Sequence, residues 1–521
     1  MIAGDTDPAP PGSHDHTANA AIENADHGPS AHLGARLRRV CRLTLVALLY
    51  VLAGLPGLSR VADADIWWHL RTGQWIVMHG NVPTTDPFSS HGSDTAWVAY
   101  SWLFDLLVYG LHAALGLPGI ALYSVVVSLG IVLALHRLVR LYGLPFGFEF
   151  SLTAACVVSL FPLFAPRPWL LTILFFVIEV QLLVTARRAS TTRGLFWLPL
   201  VFMLWANIHI QFVYGLLVLG LAIVEPTLRY LLLGTRIDEQ QKAFHRSLAL
   251  VAVFCVLATL LTPYHVGLYR TVLDLAGQAG PFSVVAELRA PEFRALPEWL
   301  VLGMTLCAAF ALGWQRTPRL FAGLLLIVGA ILAFRARRDS WFVVTAATTI
   351  LGDWLAQTPV RRGQRYGWTT SQVLAVGTAV VIGLVIAGRR TASVESLEAA
   401  VSSAFPVEAA AFAERQGYTG RLFNHFDWGG YLIWRLPQLP VSMDGRTNVY
   451  GDERLTRNLS TWAGAPDWAS NPELAGASVV IGHADAPLTA LLRHDRRFEL
   501  VHQDAVATVF VARRAAREES R

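Results

Sequence analysis

Apolar residues form long, nearly continuous runs over most of the chain. Runs of roughly 17 to 25 residues, the length that crosses a bilayer as a helix, begin near residues 40, 118, 148, 168, 194, 210, 247, 298, 319, 340 and 371. After residue 390 the apolar runs become short and alternate with Pro, Asp, Asn and Trp. The pattern predicts a mainly α, polytopic transmembrane helical fold with about 11 spans in residues 35–390. A soluble C-terminal α/β domain is predicted to follow in residues 391–521.

Shorter patterns refine this outline. Residues 65–79 fit a short helix lying on the membrane, and residues 100–116, which are apolar but short and contain Asp105 and His112, fit an interfacial or re-entrant helix. In the C-terminal domain we expect helices near 405–416 and 452–462. Strand-like runs lie at 441–443, 477–481, 498–502 and 507–511.

Composition places the chain in the membrane and excludes other classes. Of its 521 residues 54% are hydrophobic and 15% are charged, whereas a soluble domain carries about 25% charged residues. The net charge of +5 comes from arginines that flank apolar runs, and Lys242 is the only lysine. These arginines form no basic stripe, so nucleic-acid binding is not expected. The four cysteines fall in apolar segments, where they act as small hydrophobic residues.

The first 34 residues lack an apolar run and are rich in Ala, Pro, Gly, Asp and His. This composition predicts a disordered cytoplasmic tail and not a signal peptide. Its histidines could bind a metal, but polar low-complexity ends usually carry no site, so we expect them to be solvated. They are His14, His16, His27 and His32.

Arginine placement predicts the orientation of the spans. Arginines at 36, 38, 39 and 42 precede the first span, and loops on the inner side carry the arginine excess. The amino end is therefore predicted inside, and residues 60–117, 264–297 and everything after about 390 outside. Arg335, Arg337 and Arg338 then lie on the outer side, against the rule. They either hold an anionic partner such as a lipid phosphate or extend from the lipid to the interface.

The first outer loop opens with the segment Asp63-Ala64-Asp65-Ile66-Trp67-Trp68-His69-Leu70. Asp65 and His69 are four residues apart and share one face of a helix, where they could orient the imidazole or share a metal. A carboxylate at this boundary could deprotonate an acceptor hydroxyl. Alternatively, one aspartate caps the helix while the two tryptophans form an interfacial belt.

Polar residues also occur at other predicted outer helix ends and in the C-terminal domain. Asn207 and His209 follow a span and could line a polar cavity facing sugar hydroxyls, or only satisfy the helix end. Arg167, between two prolines, allows the same two interpretations. Residues 424–434 and 443–452 are dense in aromatic, glycine and acidic residues, which indicates turns and close packing or a carbohydrate-binding surface.

Several of these motifs together resemble a known family. The chain over about residues 40–512 resembles the C-type (GT-C) polytopic membrane glycosyltransferase superfamily, within a bacterial branch similar to protein mannosyltransferase-like and lipopolysaccharide-core-type enzymes. The resemblance is carried by Asp63-x-Asp65-x-Trp67-Trp68-His69-Leu70, Pro83-Thr-Thr-Asp86-Pro-Phe88-Ser89, Ala206-Asn207-Ile-His209, and Asp427-Trp-Gly-Gly-Tyr431 with Asp444-Gly-Arg446.

The resemblance implies a multi-pass enzyme of the bacterial inner membrane with an extracytoplasmic C-terminal domain. It would transfer a hexosyl or pentosyl group from a polyprenyl-phosphate-linked donor to a glycan, lipid or protein acceptor. Asp63 or Asp65 would be the base or help hold a divalent metal. Substrate-binding roles would fall on His69, Arg167, Asn207, His209, Arg335, Arg337 and Arg338.

One departure leaves the base undecided. Many family members carry a charged Asp-Glu element in this loop, whereas here Ala64 separates Asp63 from Asp65. Two other functions also stay open, namely a transporter or flippase of lipid-linked glycans and a noncatalytic membrane scaffold.

Overall fold

The computed structural model describes residues 29–91, 95–278, 280, 285–315, 319–357 and 368–513. The side chains of the tail histidines His14, His16, His27 and His32 lie outside the described part. The first helix begins at Pro29, so the last residues of the predicted tail are helical.

The first three quarters of the described chain are helical, as the apolar runs predict. The helices are α1 (Pro29–Ser59), α2 (Ile66–His79), α3 (Trp102–Leu115), α4 (Leu117–Arg140), α5 (Phe146–Leu160), α6 (Trp169–Ala189), α7 (Leu198–Ile208), α8 (Phe212–Leu233), α9 (Glu239–Thr259), α10 (Gly267–Gly277), α11 (Leu296–Trp314), α12 (Leu320–Arg335), α13 (Ser340–Gln357) and α14 (Thr370–Thr391). Short 3-10 turns join some of them at Phe161–Leu163, Arg193–Trp197, Ala286–Leu288 and Arg337–Asp339.

Eight described helices are long and apolar enough to cross a membrane. They are Leu33–Ser59, Leu117–Arg140, Phe146–Leu163, Trp169–Ala189, Phe212–Leu233, Glu239–Thr259, Leu296–Trp314 and Thr370–Thr391. The apolar runs predicted near 194, 319 and 340 are helices as well, but α7 and α12 are shorter. Helix α13 is buried from Ser340 to Gly352, so it runs through the protein interior and is shielded from lipid. A multi-span helical fold is confirmed, whereas a count of 11 spans stays a prediction.

Glycines allow two of the helix pairs to approach closely. A Cβ added at Gly57 of α1 would lie 2.7 Å from the backbone nitrogen of Val125 in α4. A Cβ at Gly329 of α12 would lie 2.9 Å from the Cα of Val343 in α13. Small residues at such crossings let helix backbones pack in the absence of a hydrophobic driving force between helices in lipid.

The C-terminal part of the described chain combines short helices with a small sheet, whereas its being a separate soluble domain stays a prediction. Its helices are α15 (Val394–Ala404), α16 (Val407–Arg415), α17 (Gly429–Arg435), α18 (Thr447–Trp462), α19 (Pro472–Ala475) and α20 (Pro487–Leu492). Its strands are β1 (Leu422–Asn424), β2 (Val479–His483), β3 (Phe498–Gln503) and β4 (Ala507–Ala512), in the order β1-β2-β4-β3. Strand β2 pairs parallel with β1 and antiparallel with β4, and β3 pairs antiparallel with β4.

One predicted strand is absent from this sheet. Residues 441–443 form only isolated bridges, in which Val441 pairs with Leu422 and with Ser89. The segment connects the sheet to the first loop, the segment between α1 and α3, because the backbone N–H of Ser90 donates to the carbonyl of Val441 at 2.8 Å. The segment is extended because Val441 pairs with Leu422 of the sheet and with Ser89 of the first loop.

The tryptophans of the first loop also serve this junction. Trp67 and Trp68 are buried, and the Trp67 ring lies edge-on to Tyr431 at 5.1 Å and to Phe405 at 5.7 Å between centroids. Helix α2 therefore packs under the C-terminal domain. The alternative of an interfacial tryptophan belt is wrong for these two residues.

A buried charge cluster holds the same two parts together. The Arg446 guanidinium donates to Asp86 of the first loop at 2.7 Å and to Asp444 at 2.7 and 2.9 Å. It also lies 4.6 Å from the Trp97 ring and 5.1 Å from the Phe88 ring. Such geometry, with each charge paired and hydrogen-bonded, is what makes a buried ion pair tolerable.

The cluster shifts the ionisation of its carboxylate. Burial would raise the pKa of Asp86, but Arg446 and hydrogen bonds from Ser89 and Phe88 outweigh it and lower the pKa. A carboxyl whose pKa is lowered by folding stabilises the fold above its unfolded pKa, and this contribution is lost as the pH falls through the folded pKa. The ion pair is therefore fully formed at neutral pH and is lost only in acid below the ordinary pKa of 3.8.

Replacing this arginine should destabilise the protein strongly. We expect Arg446→Met to cost about 3–5 kcal/mol, since it leaves buried carboxylates uncompensated. Lys242→Met is the control, because Lys242 pairs with Glu239 at the surface, where such a pair contributes about 0–1 kcal/mol. Thermal unfolding in detergent measures both variants. A wild-type melting temperature for Arg446→Met would contradict the role of the cluster.

Candidate active site

A cavity of about 260 Å³ opens where the first loop, several helix ends and the C-terminal domain meet. Its walls come from the start of α2, the turns before α6 and α8, the loop before α11, the turn between α12 and α13, and the start of α18. The polar and aromatic residues that line it include Asp65, Trp68, His69, Tyr100, Arg167, Trp169, His209, Gln211, Tyr214, Glu287, Arg335, Arg338, Asp339 and Thr447. The fold thus brings together residues that are up to about 380 positions apart in the sequence.

Acidic residues surround Arg167 on one side of the cavity. Its Nε donates to Asp63 at 2.7 Å, its Nη1 is paired with Asp65, and Glu287 lies 3.9 Å from the same Nη1. Burial would lower the pKa of Arg167, but Asp63 and Glu287 raise it. Arg167 is therefore a fixed positive charge that positions the carboxylates of the first loop.

The two aspartates differ in their surroundings. Asp63 accepts the backbone N–H of Asp65 with one oxygen, at 2.9 Å, and the Arg167 side chain with the other. Asp65 precedes α2, but its side chain makes no capping hydrogen bond, and it lines the cavity. Asp63 thus serves the local turn, while the Asp65 carboxylate faces the cavity space.

His69 is held by a second buried carboxylate. Its Nδ1 lies 2.5 Å from Asp105 of α3, and its ring stacks on Trp68 with centroids 3.6 Å apart. Burial, together with His209, lowers the pKa of His69 well below its ordinary value. Because Nδ1 is bonded to Asp105, Nε2 is the ring nitrogen that can bind a ligand in the cavity.

His209 lies at the end of α7, on another wall. Its Nδ1 is 2.9 Å from the hydroxyl of Thr172, which also accepts the indole N–H of Trp205 at 2.9 Å. Burial and the charge of Arg338 lower the pKa of His209 to about 3. It is therefore a neutral polar group at physiological pH.

Arg335 and Arg338 lie on the wall formed by α12 and the turn after it. The Arg338 guanidinium packs over the Trp169 ring, 5.9 Å from its centroid. Its Nε is buried and has no hydrogen-bond partner among the described residues. Asp339 next to it lies 4.0 Å from that nitrogen and instead accepts from Gln211 at 2.7 Å and Tyr214 at 3.0 Å. Arg338 thus keeps donor capacity for a ligand.

Asn207 and Arg337 do not line the cavity. The Asn207 side chain accepts the Trp102 indole N–H at 2.8 Å and donates to the carbonyls of Met203 and Leu261, so it ties α7 to α3 and to the end of α9. The Arg337 side chain donates to the Ala286 carbonyl at 2.7 Å. It thereby supports the turn that carries Glu287.

Several other residues that line the cavity were not predicted from the sequence. Glu287 lies in the predicted outer loop 264–297, and Tyr100 precedes α3. Gln211, Tyr214 and Asp339 each lie within a few residues of predicted site residues, and that proximity is the signal that could have identified them. Their mutual hydrogen bonds depend on the packing of α8 against α12, which no local pattern encodes.

The acidic residues of this cavity do not form a compact metal cluster. Among the described residues, the one group of three His, Cys, Asp or Glu side chains with donor atoms within 4.8 Å of one another lies in the C-terminal domain, at His425, Asp427 and His483. The carboxylates of Asp63, Asp65 and Glu287 are arranged around Arg167 instead.

Comparison with known proteins gives matches among solved structures. No protein-family model matches the chain, and no curated protein does either. The chain is similar to the oligosaccharyltransferase AglB from Archaeoglobus fulgidus in complex with an inhibitory peptide and a dolichol-phosphate, with a TM-score of 0.52 and 11% identity over 86% of this chain and 70% of that one. It is also similar to ArnT from Cupriavidus metallidurans in the apo state, with a TM-score of 0.51 and 14% identity over 91% and 98% of the two chains.

At these identities the likeness shows the fold, and it extends over nearly the whole chain, including both the helix bundle and the C-terminal domain. The protein has the fold of the C-type (GT-C) polytopic membrane glycosyltransferases.

Proposed function

We propose that the protein is a glycosyltransferase that moves a sugar from a polyprenyl-phosphate-linked donor to an extracytoplasmic acceptor. The observation that carries this proposal is the cavity itself, which has a carboxylate on one wall and two arginines on another. Transfer of a sugar from a phosphate donor needs both a carboxylate and positively charged groups. The arginines bind the phosphate, and the carboxylate accepts a proton from the attacking hydroxyl.

Arg335 and Arg338 are the proposed phosphate site. Arg338 offers a buried N–H without a partner among the described residues, and a guanidinium binds phosphate oxygens with directed, charge-assisted hydrogen bonds. Both arginines lie at the end of apolar helix α12 or just beyond it. A polyprenyl tail could therefore lie against apolar helices while its phosphate reaches the cavity.

Asp65 is the proposed base, and Asp63 the residue that positions it. Asp65 faces the cavity, whereas both oxygens of Asp63 are engaged by Arg167 and by the backbone of Asp65. Arg167 in turn anchors the Asp65 carboxylate through an ion pair. A carboxylate has about four lone-pair sites, so an acceptor hydroxyl can bind to Asp65 beside Arg167.

The reaction is a direct displacement at the anomeric carbon. The acceptor oxygen forms a bond to this carbon while the bond from the carbon to the phosphate oxygen breaks. The acceptor proton passes to Asp65, and the released phosphate takes the bonding electrons as negative charge. Arg335 and Arg338 stabilise that charge in the transition state more than in the ground state, which is what accelerates the step.

The similar folds support the donor class. AglB was solved with a dolichol-phosphate and an inhibitory peptide, so this helical architecture accommodates a lipid phosphate in that protein. We extend the donor class to this chain because its own cavity carries Arg335 and Arg338 where an apolar helix ends. The proposed sugar is a hexosyl or pentosyl group. The proposed acceptor is a glycan, a lipid or a protein.

The protein is proposed to lie in a bacterial inner membrane, and the distribution of arginines supports its proposed orientation there. Helices α6, α8 and α12 border the cavity at one end and carry Arg188, Arg229 and Arg319 at or next to the other. Arg39 lies towards the start of α1, whose other end leads into the first loop. An arginine excess marks the cytoplasmic side. The N-terminus would thus be cytoplasmic, and the cavity and C-terminal domain extracytoplasmic.

Neutralising the proposed base should abolish transfer. We expect Asp65→Asn to lower the transfer rate by about 10²–10⁴-fold, since this is the usual contribution of a general base. Asp63→Asn should lower it roughly tenfold, because it weakens one charge-assisted hydrogen bond to Arg167. Purified protein is assayed with a panel of radiolabelled polyprenyl-phosphate sugars. Asp467→Asn, at an exposed position of the C-terminal domain, is the control with wild-type rate.

The same assay separates the rival functions. Full activity of Asp65→Asn would remove Asp65 as the base. A flippase would move the labelled lipid across vesicle membranes without forming a glycosylated product. A scaffold would turn over no donor in the panel, with or without the aspartates.

Arg337 and Arg338 are neighbours in the sequence, but their replacement should affect donor binding unequally. We expect Arg338→Gln to lower kcat/KM by about 30–1000-fold, the equivalent of roughly 2–4 kcal/mol for one transition-state donor. It should also weaken inhibition by polyprenyl phosphate without sugar. Arg337→Gln should change both values much less, since its guanidinium is directed to the Ala286 carbonyl. Equal losses in the two variants would contradict the proposed phosphate site.

A further inference from the structure

Two histidines and an aspartate converge in the C-terminal domain, outside the candidate active site. Each of His425, Asp427 and His483 places one potential ligand atom within 4.8 Å of those of the other two. The Nδ1 of His425 lies 3.7 Å from the nearer Asp427 oxygen, and the two imidazole rings meet edge to face at 4.6 Å between centroids.

The imidazoles are held by separate, well-anchored elements. His425 follows β1 and precedes the 3-10 turn Phe426–Trp428. The buried Asn424 side chain fixes this corner, because it donates to the carbonyls of His425 and Met443. His483 ends β2 and pairs with Ala507 in the ladder.

An aromatic wall orients the His483 ring. The Trp428 ring lies 3.8 Å from it between centroids, and the Trp428 indole N–H donates to the Ala404 carbonyl at 2.9 Å. The two histidines are thus prearranged, while the Asp427 side chain is 62% exposed and can rotate. Ligands on one tetrahedral ion lie roughly 3.4 Å apart, given metal–ligand bonds of about 2.0–2.1 Å. Because the ligand atoms lie within 4.8 Å of one another, shifts of up to about 1.4 Å would bring them to the spacing of one tetrahedral ion.

We propose that His425, Asp427 and His483 bind one divalent transition-metal ion, with zinc as the preferred metal. Imidazole nitrogens together with a carboxylate are ligands that suit zinc. Three protein ligands leave one coordination position open towards solvent on the Asp427 side. This proposal does not depend on the transfer reaction, and its test uses no enzyme assay.

The position of the site gives the ion a structural consequence. The turn that carries His425 and Asp427 leads directly into Gly429 and Gly430 of α17. A Cβ at Gly430 would lie 2.5 Å from the Ala64 carbonyl, and one at Gly429 would lie 2.6 Å from the Cα of Asp444. A metal that joins this turn to β2 would therefore stiffen the contact between the C-terminal domain and the first loop.

The test measures zinc affinity of the full-length protein in detergent. The protein is purified without a polyhistidine tag, and His14, His16, His27 and His32 are changed to Gln, so that these histidines do not compete for zinc. Competition with a chromophoric chelator gives the stoichiometry and the dissociation constant. We expect one zinc per chain, and an increase of the dissociation constant of at least 100-fold in His483→Ala and in Asp427→Asn. His494→Ala, an exposed histidine of the same domain, should stay within twofold.

Two further measurements separate loss of the site from loss of the fold. Asp427→Asn replaces an exposed side chain, so its melting temperature without metal should equal that of the wild type. Added zinc should raise the wild-type melting temperature, because a ligand that binds the native state stabilises it, and should leave that of Asp427→Asn unchanged. Cobalt in place of zinc should give the visible absorption of a four-coordinate ion. Equal zinc binding by the wild type and the His425→Ala/His483→Ala double variant, or none by the wild type, would overturn the proposal.

Discussion

The buried contact of Arg446 with Asp86 and Asp444 is the constraint on which the rest of the structure depends. It joins the first loop to the C-terminal domain at a point where all three side chains are shielded from water. Gly445, between two of these residues, borders the cavity beside Asp65. Because a buried arginine tolerates little displacement from its carboxylates, the position of the first-loop carboxylate depends on a segment that follows it by about 380 residues.

A second arginine, Arg167, sets the polarity of the cavity. It gathers Asp63, Asp65 and Glu287 on one side, and this leaves Arg335 and Arg338 to determine the potential on the other. Opposite charges held apart in a half-enclosed space suit a reaction in which a proton leaves one reactant and negative charge develops on another. The protein achieves this separation by placing the two groups on different helix ends and fixing each with its own partners.

The sequence predicts much of this, and where it fails the cause is long-range packing. Span-length apolar runs predicted the helices. Arg335 and Arg338 depart from the arginine distribution of the predicted orientation, and both line the cavity. Arg337, one residue away, points to the turn at Ala286, because a 3-10 turn sends neighbouring side chains in different directions. Asn207 binds other helices, and the tryptophans after Asp65 pack under a distant domain. Sequence position gives a residue's neighbourhood, whereas tertiary contacts decide which way its side chain faces.

In the proposed mechanism, the carboxylate of Asp65 and the guanidinium groups of Arg335 and Arg338 bind one substrate. The most direct measurement is an experimental structure with a non-transferable phosphonate analogue of a polyprenyl-phosphate sugar. We expect phosphonate oxygens within hydrogen-bonding distance of Arg338 and Arg335, the sugar between these arginines and Asp65, and the lipid tail along apolar helices. A head group bound instead among the arginines at the opposite end of the bundle, with the cavity empty, would contradict it.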